Sequence, residues 1–281
     1  MSAVVLGLFA ASVLYPLIYV LSASFSSPDA ITSGQMWLWP VDVTTRAYET
    51  VFEYQTIVTG FVNSAIYTVG GTAFAVSLTL LAAYPLSRKD LPARNVIMVF
   101  FVIPMVFSGG MIPTYLVVRE LGMLNTRWAL IIPGVVAVWN VIITRTFFQI
   151  TIPNELLDAA HMDGCSDFRF FLRIVLPLSK PIIAVNALFY GVAQWNSWFN
   201  ALIYLTNDQL FPLQLVLRQI LIQNTVDPSQ VQAIAEGNTK EDIRDLLKYA
   251  VIVIASLPPL LAYPFVQKQF VRGVRIGSLK G

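Results

Sequence analysis

Six runs of apolar residues follow one another along the chain, separated by stretches of polar and charged residues. A membrane-spanning helix needs about 20 mostly apolar residues, and each run comes close to that length or exceeds it. The pattern therefore predicts an all-α membrane protein in which residues 1–281 form a single transmembrane domain. The predicted spans cover residues 4–25, 60–86, 96–118, 128–148, 182–205 and 249–266.

The positions of Lys and Arg orient these six spans. Cytoplasmic segments of membrane proteins carry more Lys and Arg than outer segments do. Eleven of the 18 basic residues lie in or beside segments 87–95, 149–181 and 267–281. We therefore expect both termini to be cytoplasmic, with 149–181 as the long cytoplasmic loop and 206–248 as an extracytoplasmic loop.

Composition narrows the possible functions. Hydrophobic residues make up 56% of the chain and charged residues 12%, which is typical of a multi-pass membrane protein. A single cysteine and a single histidine predict neither a disulfide within the chain nor a metal site.

Two kinds of energy-coupling chemistry are missing from the sequence. No Gly-Lys pair occurs, so the phosphate-binding loop of an ATPase is missing. None of the six runs contains Asp, Glu, Lys or His, whereas ion-coupled carriers usually need buried ionisable groups. We expect no catalytic residue and no cofactor in this chain, and energy supplied by a partner. An ion-coupled secondary carrier with uncharged coupling sites remains the alternative.

A short helix is predicted in the cytoplasmic loop at residues 154–163. Pro153 and Asn154 favour a helix start, and Gly164 can adopt the left-handed conformation that ends a helix. Ala159 and Ala160 would leave one side nearly flat, with Leu156 and Met162 as apolar anchors for the groove of another protein. The alternative is a helix that lies on the membrane surface or packs on its own bundle.

This loop resembles the EAA signature of permeases from ATP-binding-cassette (ABC) importers. The signature has an acidic-Ala-Ala triplet, then Gly, then Ile-x-Leu-Pro at fixed spacing, and Asp stands here in place of the usual Glu. The matching residues are Asp158, Ala159, Ala160, Gly164, Ile174, Leu176 and Pro177. Segments 109–115, 195–200 and 270–281 look like the carbohydrate-importer branch, specifically the smaller subunit of a heterodimeric permease pair.

The resemblance implies a function and a set of partners. It implies the ABC importer permease fold in a bacterial cytoplasmic (inner) membrane, and import of a carbohydrate, most simply an oligosaccharide, by alternating access. The implied partners are a second permease subunit, two ATPase subunits that bind ATP and Mg, and an extracytoplasmic solute-binding protein. The signature residues, together with Met162, would couple the permease to the ATPase. The same machinery with a non-sugar solute remains an alternative.

Amides and aromatic rings in the fifth run are candidates for the solute pathway. A neutral sugar is bound by hydrogen bonds and by apolar ring faces, which these side chains provide. The alternative is that the amides bridge helices and the tryptophans mark the membrane interface. The candidates are Gln194, Trp195, Asn196, Trp198 and Asn200 in the fifth run, with Asn140 in the fourth and Asn63 in the second.

Overall fold

The computed structural model describes residues 2–222 and 247–264, and all regular elements in this part of the chain are helices. In chain order they are α1 (Ser2–Ser24), α2 (Pro28–Thr32), α3 (Arg46–Glu53), α4 (Gln55–Ser87), α5 (Arg94–Val106), α6 (Met111–Glu120), α7 (Trp128–Ile131), α8 (Val138–Thr151), α9 (Asn154–Met162), α10 (Asp167–Phe170), a π-helical turn (Phe171–Val175), α11 (Leu176–Leu178), α12 (Lys180–Trp195), α13 (Phe199–Tyr204), a 3₁₀ turn (Asp208–Leu210), α14 (Leu213–Ile222) and α15 (Leu247–Pro264). The predicted all-α class is confirmed.

Three helices of the described chain are long and apolar enough to cross a membrane, namely α1, α4 and α15. They correspond to the first, second and last predicted spans. Two bent pairs, α5 with α6 and α10–α11 with α12, raise the number to five if each pair is one span. The count of six spans and the orientation of the termini stay predictions.

The third predicted span differs from the structure because its helix is broken. Helices α5 and α6 meet at an angle of 114°. The break contains Ser108-Gly109-Gly110, and Gly110 has φ +81°, a left-handed conformation that glycine adopts without strain. Pro113 then lies in the first turn of α6, where its missing N–H does no harm.

The fourth and fifth predicted spans are also interrupted. Helix α7 ends at Ile131, just before Pro133 and Gly134, and α8 begins only at Val138. With 14 residues α8 is about 21 Å long, shorter than the roughly 30 Å hydrocarbon core of a bilayer. The run at 182–205 is split between α12, which ends at Trp195, and α13, which begins at Phe199.

The described residues form two compact units. One contains those of Met1–Ser64, Ser197–Leu202 and Thr206–Leu260, and the other contains those of Ala65–Asn196, Ile203–Leu205 and Leu261–Gly281. Much of the apolar surface is exposed, and the most apolar 18-residue window of α1 has no buried residue. Such a surface is unfavourable in water and suits lipid or a partner chain.

The core of the second unit joins the predicted cytoplasmic loop, residues 149–181, to the spans. Helix α4 contributes Val76, Leu80 and Ala83, which recur at the three- and four-residue spacing of one helix face. Helix α8 adds Val141 and Phe148, and both are almost completely buried. Residues of the cytoplasmic loop complete the same hydrophobic cluster, so the loop is packed onto the bundle.

Candidate functional site

The helix predicted in the cytoplasmic loop is present as α9, and its boundaries follow from local chemistry. Pro153 precedes it in an extended conformation, and Glu155 lies in its first turn, where a negative charge is favourable. Gly164 follows it with φ +72°, as predicted. The N–H of Gly164 donates to His161 O (2.9 Å) and that of Cys165 to Ala160 O (2.8 Å), which is the Schellman pattern.

The two sides of α9 are in very different environments. Leu157 and Ala160 are buried, at 9% and 6% exposure, whereas Leu156 is 40% and Met162 89% exposed. Asp158 and Ala159 are also exposed. Both predicted anchors are thus exposed, and their contact with another protein stays a prediction. Ala160 does not contribute to a flat outer side as expected, because it packs inward against the chain's own core.

The inward face of α9 shares its hydrophobic cluster with two of the spanning helices. Leu157 and Ala160 belong to the cluster formed by α4 and α8. Phe170 and Phe171 join it from the segment after α9, and the Phe171 ring lies 4.9 Å from that of Tyr84 on α4. Close-packed side chains therefore join α9 to α4 and α8.

The Ile-x-Leu-Pro part of the signature forms an irregular helical segment that ends in a bend. Ile174 and Leu176 are half-buried and pack against the cluster, whereas Pro177 is exposed. Pro177 has no N–H for the carbonyl of Arg173, and the turn at Phe171–Val175 just before it is π-helical. The segment then bends by 79° into α12.

In the second unit, most of the pathway candidates are buried or hydrogen-bonded to the chain itself. The Gln194 Nε2 donates to Leu130 O at 3.0 Å, so this amide bridges α12 and α7. Trp195 and Asn140 are buried at 4% exposure each, and Trp195 presents no open ring face. Asn196 is exposed, and its Nδ2 donates to Val192 O at 2.8 Å. Within the described residues, the carboxamide oxygen of Asn196 accepts no hydrogen bond.

In the first unit, Asn63 has a bridging role. Its Nδ2 donates to Gln209 O (2.7 Å) and to Phe211 O (3.2 Å), so it joins α4 to the segment before α14. Trp198 is 37% exposed, and the guanidinium carbon of Arg218 lies 4.8 Å from its ring centroid. Asn200 is half-buried. Of these candidates, Trp198 has the most accessible ring.

Arg88, beside the cytoplasmic end predicted for the second span, was counted in the sequence only as one of the basic residues that orient the spans. It follows α4 directly, and its side chain is only 14% exposed because it contacts acidic groups of two segments. The nearby Asp90 was a visible signal for a local ion pair. No sequence signal pointed to the second contact, which is with Asp167.

These features define a helical membrane protein in which α9 presents an exposed face on one side and packs onto the spans with the other. The chain belongs to the family described as the binding-protein-dependent transport system inner membrane component, which it matches over residues 75–276. It is thus a multi-pass subunit of the inner membrane.

Individual relatives extend over almost the whole chain. Protein LplC of Bacillus subtilis (strain 168) is 42% identical over 98% of this chain and 92% of the relative. The polygalacturonan/rhamnogalacturonan transport system permease protein YtcP of the same organism is 42% identical over 98% and 95%. A chain in the crystal structure of a bacterial ABC transporter involved in import of the acidic polysaccharide alginate has a TM-score of 0.89 at 32% identity, covering 95% of this chain and 94% of that one. The ABC importer permease fold predicted from the sequence is confirmed.

Proposed function

We propose that this chain is a permease subunit of an ABC importer that moves carbohydrate, in the form of oligosaccharides, into the cytoplasm by alternating access. The observation that supports it most directly is the geometry of α9. Its outer side is exposed, with Met162 89% accessible, while its inner side is packed into the core of the spans. A helix with one free face and one anchored face suits a connection between a motor and a moving bundle.

The proposed cycle assigns the energy to partner subunits. Two ATPase subunits bind ATP and Mg and close on each other, and α9, seated in a groove of one of them, transfers this movement to α4 and α8. The bundle then opens outward and receives solute from an extracytoplasmic binding protein. A second permease subunit completes the pathway. This chain hydrolyses no ATP. Its six spans place both termini in the cytoplasm.

The proposed solute class rests on the relatives and on the chemistry of the interrupted fifth run. One relative is named for polygalacturonan and rhamnogalacturonan transport, and the related solved transporter imports alginate. Within the second unit, Asn196 has an exposed amide, a group that sugar recognition uses. We propose oligosaccharides of uronic acids as the first solutes to test.

The test uses the assembled complex in liposomes, with the binding protein and a galacturonate trimer outside and ATP inside. Uptake that needs ATP and persists without any ion gradient is expected. Uptake that does not depend on ATP but requires a proton or sodium gradient would favour the secondary carrier and contradict the proposal.

A pair of variants tests the pathway within the same assay. Asn196→Ala is expected to lower uptake at least fivefold without loss of assembly, because its exposed amide is available to solute. Gln194→Ala should instead lower thermal stability, since it removes a bridge to a backbone carbonyl that contributes about 1 kcal/mol. Normal uptake by Asn196→Ala would show that this amide is outside the pathway.

A further inference from the structure

We call residues 154–178, from α9 to α11, the coupling segment. The C-terminal end of α4 is connected to it by one arginine with two acidic partners. Arg88 Nε and Nη2 donate to the Asp90 carboxylate at 2.8 and 2.6 Å. Its Nη1 donates to Asp167 Oδ1 and to the Tyr84 hydroxyl, each at 3.1 Å. The contact with Asp90 is local, only two residues along the chain, whereas the contact with Asp167 joins positions 79 residues apart.

The same carboxylate also contacts α9. His161 Nε2 lies 3.2 Å from Asp167 Oδ1, so one oxygen of Asp167 is shared by Arg88 and by the last turn of α9. The guanidinium, the carboxylate and the imidazole thus form a continuous polar connection from the end of α4 to the end of α9. We call these three residues, Arg88, Asp167 and His161, the polar link.

Side-chain hydrogen bonds stabilise the C-terminal end of α4. Its last carbonyls lack partners within the helix, as at the end of any helix. Arg145 Nε on α8 donates to Leu86 O at 2.8 Å, and Arg94 Nη1 on α5 donates to Arg88 O at 3.2 Å. A displacement at Arg88 is therefore expected to move the end of α4 as a body and not to unwind its last turn.

The Arg88 guanidinium is charged at neutral pH. Hydrogen bonds from Arg88 hold the pKa of Asp90 down at about 2, and the hydrogen bond to Asp90 raises the pKa of Arg88 above its usual value. The guanidinium is thus fully charged while it contacts Asp167. The Asp167 side chain is 64% exposed, so solvent screens its pair with Arg88 and the pair adds little to stability.

A weak but directional contact beside a strong apolar one suggests a role in force transfer. The Phe170 and Phe171 side chains attach the coupling segment to the bundle by close packing, but the hydrophobic effect itself has no preferred direction. A charged hydrogen bond restricts both distance and angle. We propose that Arg88 is a positioning residue for energy coupling, which through Asp167 makes movement of the coupling segment act on the end of α4.

This inference rests on the proposed importer function and is tested in the same liposomes, with the galacturonate trimer and ATP hydrolysis measured in one preparation. Asp167→Asn removes the charge of the long-range contact at nearly constant shape. Asp90→Asn is the matched change at the other partner of Arg88, because it removes only the local contact. Arg88→Met removes both.

The expected result is a change in the number of solute molecules moved per ATP. Asp167→Asn and Arg88→Met should keep at least half of the ATP hydrolysis while uptake per ATP falls at least fivefold, and Asp90→Asn should stay within twofold of the unaltered protein. The double variant of Arg88→Met with Asp167→Asn should be no worse than Arg88→Met alone, as expected for partners in one contact. A purely structural role would lower the amount of assembled complex and leave uptake per ATP unchanged.

Two results would overturn the inference. One is an unchanged uptake per ATP in Asp167→Asn, which decides the matter even if Arg88→Met fails to assemble. The other is an equal loss in Asp90→Asn and Asp167→Asn, which would assign the effect to the local ion pair. Failure of the proposed function is distinguishable, because the unaltered complex itself would then show no ATP-dependent uptake.

Discussion

Replacement of Gly164 by valine tests whether the end of α9 must have one particular geometry. Gly164 has φ +72°, and a Cβ added there would meet no atom within 4 Å. The substitution is therefore free of steric collision and acts only through the backbone. An L-residue in the left-handed region costs about 1–2 kcal/mol, and a β-branched side chain belongs at the upper end of that range.

This free energy is large for one turn and small for the whole protein. About 1–2 kcal/mol changes the population of the native turn by a factor of roughly 5–30. The hydrogen bonds from the N–H groups of Gly164 and Cys165 would be lost in the altered turn, and the segment that follows α9 would be redirected. The inserted spans are untouched, so the protein should still reach the membrane and assemble with the second permease.

The chain offers a closely matched control at Gly122. It has φ +66° with equally open space, and it ends α6 with the same hydrogen bonds, to Arg119 O and, from Met123, to Val118 O. Gly122→Val therefore imposes the same strain at the same kind of helix end, outside the coupling segment. Gly164→Asn is the conservative change, since asparagine tolerates the left-handed conformation.

The assay is co-purification of the ATPase with the permease, together with ATP hydrolysis stimulated by loaded binding protein. Gly164→Val is expected to lose at least four-fifths of both, and Gly122→Val and Gly164→Asn to keep at least half. Equal values in Gly164→Val and Gly122→Val would refute the reasoning, because backbone strain as such and not the position of α9 would then explain the loss.

Three further predictions follow from exposure and hydrogen bonding. With Cys165 replaced by serine, a cysteine at Asp208 should react with an impermeant thiol reagent from outside the cell and one at Lys89 should not; the reverse pattern would contradict the topology. Met162→Asp should abolish ATPase association with no change in melting temperature, because the side chain is 89% exposed and makes no core contact; retained association would remove Met162 from the interface. Asn63→Ala should lower the melting temperature of the complex, since two backbone carbonyls lose a donor at about 1–3 kcal/mol, and an unchanged melting temperature would argue against the bridge.

The amino-acid sequence by itself determined the features that depend on neighbouring residues. The all-α membrane class follows from long apolar runs, because a backbone in lipid must satisfy its hydrogen bonds within each segment. The ends of α9 follow from Pro153 and Gly164, since one residue's permitted dihedral angles decide whether a helix begins or stops there. The coupling signature is a local spacing and was therefore readable as well.

Only the tertiary structure decided which side chains face one another across the chain. The spacing that predicted α9 could not tell that Ala160 turns inward while Ala159 stays exposed, because that depends on where the phenylalanines of other segments pack. That the Nδ2 of Asn63, a candidate for solute contact, donates to backbone carbonyls 146 and 148 residues away was likewise visible only in the structure. The contact of Arg88 with Asp167 is of the same kind: either residue alone is an ordinary surface charge, and only folding brings the two within hydrogen-bonding distance.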